Sequence, residues 1–109
     1  MSESRVRYKE GFSLFASGEI DQAIAKYREA IDLDPSLAIA WNGLSMALAQ
    51  RGELDDAVEA ARRLIELEPE DPLSHTNLSR LLMQKGMIPE AEDASAVAMQ
   101  LQMRQQGGG

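Results

Sequence analysis

The residues able to do chemistry are few. His75 is the only histidine, and Asp71 stands one helical turn before it. A histidine base needs a carboxylate to orient it and, for covalent catalysis, a nucleophile within hydrogen-bond reach. Asp71 also precedes Pro72. A capping aspartate followed by a first-turn proline is how a helix begins. The pair therefore reads as a helix start, and His75 as a packing or surface residue. Glu66, Glu68, Glu70 and Asp71 crowd one stretch. A hard cation needs several oxygens converging at a fixed geometry, and no alternating aspartate run closed by glycine is present, so this cluster reads as a solvated loop. With no cysteine there is neither a thiol nucleophile nor a thiolate metal site. The glycines do not form a phosphate-binding loop. The chain reads as a non-enzyme that calls for no cofactor and no metal.

What the sequence carries instead is a beat. The stretch 18–35 recurs at 52–69 and again at 86–103, at 34-residue intervals. Ile20, Leu54 and Ile88 share one phase; Ala23, Ala57 and Ala91 share another. A period of this length marks stacked helical hairpins. Alanine at the crossing point lets two helix axes approach to about 8–10 Å. Pro35 and Pro69 lack the donor needed to continue a helix. Apolar residues such as Ile20, Ala23, Ile24, Tyr27, Ala30 and Ile31 recur at three- and four-residue steps and define one buried stripe. The spacing predicts helices near 3–16, 20–33, 37–50, 54–67 and 72–84. A last helix opens near Pro89 and overruns into the glutamine-rich tail, because Met103 stands where the closing proline would be.

These residues resemble the tetratricopeptide repeat. The first repeat shows Gly11, Gly18, Ala23, Tyr27, Ala30 and Pro35. The second shows Trp41, Leu44, Ser45, Leu48, Gly52, Ala57 and Pro69, and the third Leu78, Ser79, Leu82, Gly86, Ala91 and Ala98. The resemblance covers nearly the whole chain. It implies an all-α fold, a right-handed superhelical solenoid of three antiparallel helix hairpins. One domain over residues 1–106 is expected, with repeats at about 3–36, 37–70 and 71–104 and a flexible glycine tail at 107–109. Arg7 and Glu10 depart from the pattern, standing where the first repeat should carry its large residue and its leucine. Ala61 and Ser95 replace the aromatic at the Tyr27 position. Almost no length remains for a solvating helix after the third repeat.

The resemblance further implies a groove, lined by the first helix of each hairpin, that accepts an extended peptide or a helix. Its lining is expected to be Arg5, Tyr8, Phe12 and Phe15, then Ile39, Asn42, Met46 and Ala49, then Leu73, Thr76, Arg80 and Met83. Aromatics often dominate interface energy, and methionines repack against varied apolar partners. Arg5 and Arg80 suit a carboxylate or backbone carbonyls, and Asn42 suits a peptide main chain. Core packing competes for Phe12, Phe15 and Met46. One family subset grips a chaperone's C-terminal carboxylate with Lys, Asn, Asn, Lys and Arg. The matching positions here hold Tyr8, Phe12, Gly43, Leu73 and Asn77, so a chaperone tail is not the expected partner.

The formal net charge of −7 repels phosphate, which argues against nucleic acid and anionic membranes. No apolar run approaches the roughly 20 residues of a membrane helix, and the N-terminal sequence lacks the apolar run of a signal peptide. The expectation is a soluble, cytoplasmic module that binds a protein or peptide through an apolar segment. Two other readings stand beside it. One is a self-assembling scaffold, a homo-oligomer formed through the uncapped third hairpin with Val97, Leu101 and Met103. The other is a domain excised from a larger protein.

Overall fold

Six helices are present in the computed structural model, which describes residues 2–107. They are α1 (Glu3–Ala16), α2 (Ile20–Leu33), α3 (Ala38–Gln50), α4 (Leu54–Leu67), α5 (Pro72–Gln84) and α6 (Ile88–Gln106). No strand occurs among the described residues. Each hairpin turns on a glycine at positive φ: 83° at Gly18, 84° at Gly52 and 82° at Gly86. A β-carbon makes that conformation costly, which is why the same residue type recurs at all three turns. The Ser2 hydroxyl accepts from the Arg5 backbone N–H to open α1, and Asp71 Oδ1 accepts from Leu73 N–H at 3.0 Å to open α5. α2 and α4 stop just before Pro35 and Pro69. α3 starts one residue later than the spacing predicts, with Leu37 as its buried N-cap. α6 passes the point where α2 and α4 end and closes on Gly107, whose N–H bonds Met103 O at 2.7 Å. The rest of the expected glycine tail lies outside the described residues.

The helices pair as α1/α2, α3/α4 and α5/α6, and α2 against α3 and α4 against α5 join the hairpins into one stack. Its shortest dimension, 21 Å, is two helix diameters of about 10 Å. Ala23, Ala57 and Ala91 are fully buried where the paired helices cross. Ser45 Oγ donates to Ala57 O at 3.1 Å, and Ser79 Oγ to Ala91 O at 2.7 Å. Each serine thus ties its helix to the crossing alanine of the partner helix. One continuous core runs from Ala23 to Ala94. No helix among the described residues is long and apolar enough to cross a membrane.

The two ends of the stack carry charged or polar residues at registers that are apolar within it, although Met99, at the register of Ile31 and Ile65, is exposed at the far end. Arg7 and Glu10 occupy the register of Trp41 and Leu44. Arg7 pairs with Glu3 at 2.8 Å, Glu10 at 3.1 Å and Glu29 at 3.4 Å, and Lys26 reaches Glu10 at 3.5 Å. Exposed pairs of this kind each contribute less than about 1 kcal/mol, so their main effect is to make the face hydrophilic. At the far end, the positions buried as Ile24 and Val58 become an exposed Glu92, and those buried as Tyr27 and Ala61 become an exposed Ser95.

Leu101 requires a correction. It does not share an outer face with Val97 and Met103, which are exposed; it is 4% exposed. The reason is helical phase. Leu101 continues the Ala91, Ala94, Ala98 stripe in steps of three and four, the face α6 turns toward the core.

Candidate functional site

The first helices of the hairpins, α1, α3 and α5, form a face on which apolar side chains remain in water. Phe12 is 57% exposed and Leu73 68% exposed; Ile39, Met46 and Met83 are exposed as well. Phe12 and Met46 are therefore surface residues, whereas Phe15 and Tyr8 are partly buried against the core. Three hollows run across this face and share residues. One of about 100 Å3 lies among Tyr8, Phe12, Phe15, Tyr27, Asn42, Gly43 and Met46. One of about 420 Å3 lies between α3 and α5, with Ile39, Asn42, Met46, Leu73, Thr76, Asn77 and Arg80 on its walls and Glu68 and Asp71 at its edge. A third, of about 220 Å3, takes Phe15, Met46 and Ala49 with Asn77 and Arg80. Met46 borders all three hollows.

Tyr27 is the floor of the aromatic hollow. Its ring centroid lies 5.8 Å from that of Tyr8, which lies 6.3 Å from that of Phe12. Burial, aided by Tyr8, pushes the Tyr27 hydroxyl up to about 12, so the ring stays neutral at ordinary pH. Gly11 and Gly43 make room for it. A β-carbon on Gly11 would sit 2.9 Å from two ring atoms, and one on Gly43 would sit 2.6 Å from Cε1 and Cζ.

At the next junction the same two positions read Ala61 and Asn77. The ring is gone, and an amide extends from the opposite helix. Asn77 Nδ2 donates to Asn42 Oδ1 at 2.8 Å, and Arg80 Nη1 donates to Asn77 Oδ1 at 3.2 Å. The trough is thus aromatic at the α1–α3 end and polar in the middle. In the sequence Asn77 stands out only as a mismatch to the chaperone clamp. The usable signal was that Asn42 and Asn77 are 35 residues apart in a 34-residue repeat, one position out of phase, which lets neighbouring helices present them to each other.

The remaining expected lining residues scatter. Thr76 lines the middle hollow, but its hydroxyl is spent on Pro72 O at 3.1 Å within its own helix. Arg5 and Met83 are exposed and border none of the three hollows. The Asp34 carboxyl is held below the usual carboxylate range first by the Ser36 hydroxyl, at 2.7 Å, with the Ser36 backbone N–H and the positive Arg5 adding to it. Of the clamp positions, Tyr8, Phe12 and Gly43 line the aromatic hollow, and Leu73 and Asn77 the middle one. At Gly43 no asparagine fits beside Tyr27. His75 Nε2 lies 2.9 Å from Pro69 O, a bond to the preceding loop, and Asp71 caps α5. Among the described residues no three His, Cys, Asp or Glu side chains converge as a metal site.

A family model described as tetratricopeptide repeat matches residues 8–72 and 51–98. No curated protein matches at a significant level. Among solved structures, MamA superposes with a TM-score of 0.92 at 24% identity, over 95% of this chain and 61% of MamA. The first repeat domain of Spaghetti (RPAP3), solved bound to the HSP90 peptide SRMEEVD, gives 0.86 at 17% identity, over 91% of this chain and 79% of that one. The type III secretion translocator chaperone SycD of Yersinia enterocolitica gives 0.84 at 22% identity, over 90% and 73%. At these identities the likeness is one of fold, and this chain spans about three-fifths of the MamA structure.

Proposed function

Because the chain belongs to the tetratricopeptide repeat family, we propose that it is a non-catalytic protein-interaction module. It takes an apolar segment of a partner protein in the trough across α1, α3 and α5. The observation that carries this reading is the exposed row of Phe12, Met46, Ile39 and Leu73 above hollows whose centre is the Asn42–Asn77–Arg80 hydrogen-bond chain. Contiguous exposed apolar surface marks interaction sites. The amides and guanidinium supply donors and acceptors for a partner's main chain. A relative of the same fold was solved with a peptide bound, which supports peptide capture as a use of this architecture. A chaperone tail is a poor occupant, since Tyr8, Phe12, Gly43, Leu73 and Asn77 offer no lysine to its carboxylates.

The working unit is residues 1–106, acting as one module whether alone or within a longer protein. Its acidic charge disfavours nucleic acid and anionic membranes, and its lack of cysteine suits the cytoplasm. Self-assembly through the third hairpin is the weaker reading, because Glu92 and Ser95 stand on the face that a second copy would have to bury. The test is selection from a displayed random-peptide library, with binding then measured against variants. Selected peptides are expected to be rich in large apolar residues and to bind Phe12→Glu about tenfold or more weaker, with circular dichroism unchanged. Peptides that bind Phe12→Glu and Met46→Glu as well as the wild type would overturn the reading.

A further inference from the structure

The two junctions of the stack differ on the side of the second helices. Trp41 and His75 share one register and make the same bond. Trp41 Nε1 donates to Pro35 O at 2.8 Å, and His75 Nε2 meets Pro69 O at 2.9 Å. Both rings are anchored alike, but the imidazole is the smaller. Beside His75 a hollow of about 510 Å3 opens between α4 and α6. Its floor is Leu78 and Leu82, both buried core residues. Ile65, Ala94 and Val97 form its walls. Its rim is acidic: Glu66, Glu90 and Asp93 against the single Arg62. Glu66 is paired with Arg63 at 3.0 Å, whereas Glu90 and Asp93 have no ion pair among the described residues.

We infer that this hollow is a second docking site, separate from the trough, for a partner segment carrying one aromatic side chain flanked by lysine or arginine. The aromatic requirement follows from the register. Trp41, at the same register of the preceding repeat, makes the same bond with a larger ring packed against the core, and the hollow beside the smaller His75 has an apolar floor and walls. A large aromatic ring buries roughly 150–250 Å2 when enclosed. The basic requirement follows from two unpaired carboxylates at the mouth of the hollow on a chain of net charge −7, which favours a cationic segment and speeds its approach.

The probe is the capped peptide Lys-Lys-Trp-Lys-Lys, with Lys-Lys-Ala-Lys-Lys and Glu-Glu-Trp-Glu-Glu as controls, titrated into isotope-labelled protein and followed by backbone amide shifts. The tryptophan–lysine peptide is expected to shift Ile65, His75, Ala94 and Val97, and neither control is expected to do so at the same concentration. His75→Trp keeps the bond to Pro69 O and fills the hollow, so it should weaken binding about tenfold or more. Glu90→Gln with Asp93→Asn leaves the packing untouched and should weaken it about two- to fivefold or more. Phe12→Glu should leave it unchanged, which separates this site from the trough. Equal shifts with the alanine control, undiminished binding to both the His75 and the carboxylate variants, or shifts confined to Phe12, Met46 and Leu73 would each overturn the proposal.

Discussion

Replacing Gly43 by alanine puts the packing under the aromatic hollow to a test of sign. In an exposed helix interior this exchange stabilises by about 1 kcal/mol, since alanine has less backbone freedom to lose. At Gly43 the new β-carbon arrives 2.6 Å from Cε1 and Cζ of Tyr27. The ring has no room to retreat: it is 2% exposed, and the backbone of Gly11 holds its other flank, leaving only 2.9 Å for a β-carbon there. Overpacking of a well-filled core costs about 1–3 kcal/mol. After the propensity gain is subtracted, Gly43→Ala should destabilise by up to about 2 kcal/mol. In a Tyr27→Leu background the obstacle is absent, and the same exchange should stabilise by about 1 kcal/mol. The two measurements imply a coupling of about 1–3 kcal/mol, within the range for residues in contact. Urea unfolding of the four proteins, followed by Trp41 fluorescence and far-ultraviolet circular dichroism, gives all the terms. A Gly43→Ala protein more stable than the wild type, or one equally affected in both backgrounds, would refute the sandwich.

Two further outcomes follow from buried groups. The Tyr27 hydroxyl, held up to about 12 by burial, ionises in the unfolded chain near 10, so its contribution is intact below about pH 10 and is lost as pH rises toward 12. The loss is about 2–3 kcal/mol. Denaturant titrations across that range should show a steeper fall for the wild type than for Tyr27→Phe, and parallel curves would contradict the assignment. Leu101→Glu places a carboxylate on the buried stripe of α6 and should cost about 3 kcal/mol or more. Met103→Glu, on the exposed side, should stay within about 0.5 kcal/mol; comparable melting temperatures for the two variants would show that the α6 stripe is misassigned.

The fold was legible because its determinants are local and repeated. Gly18, Gly52 and Gly86 sit at the three positive-φ turns, and the three alanines in phase with one another are the three buried crossings. The helix ends at Pro35 and Pro69 needed only the missing proline donor. What the repeat could not show was which residues work between repeats. Tyr27 reads as part of its own helix, yet its ring is set by glycines on two other helices. Asn77 matters through Asn42, and Leu101 was misplaced because exposure at the end of a stack depends on helical phase rather than on residue type. The hollow beside His75 appears only when that residue is compared with Trp41 in three dimensions.

The charged residues at the ends of the described stack would oppose a further hairpin packed in the same register. A hairpin laid against α6 would bury the Glu92 carboxylate with nothing to neutralise it, a cost of several kcal/mol. The same hairpin laid on α4 meets Val58 and Ala61. Exchanging Glu92 for valine and Ser95 for alanine would recreate that surface on α6. Giving α1 the tryptophan and leucine of the second hairpin at Arg7 and Glu10 would open the other end. A head-to-tail contact between such ends need not close on itself, and contacts of that kind propagate into filaments. Arg7, Glu10, Glu92 and Ser95 are therefore the side chains whose exchange would put core-type surface on the two ends of the described stack.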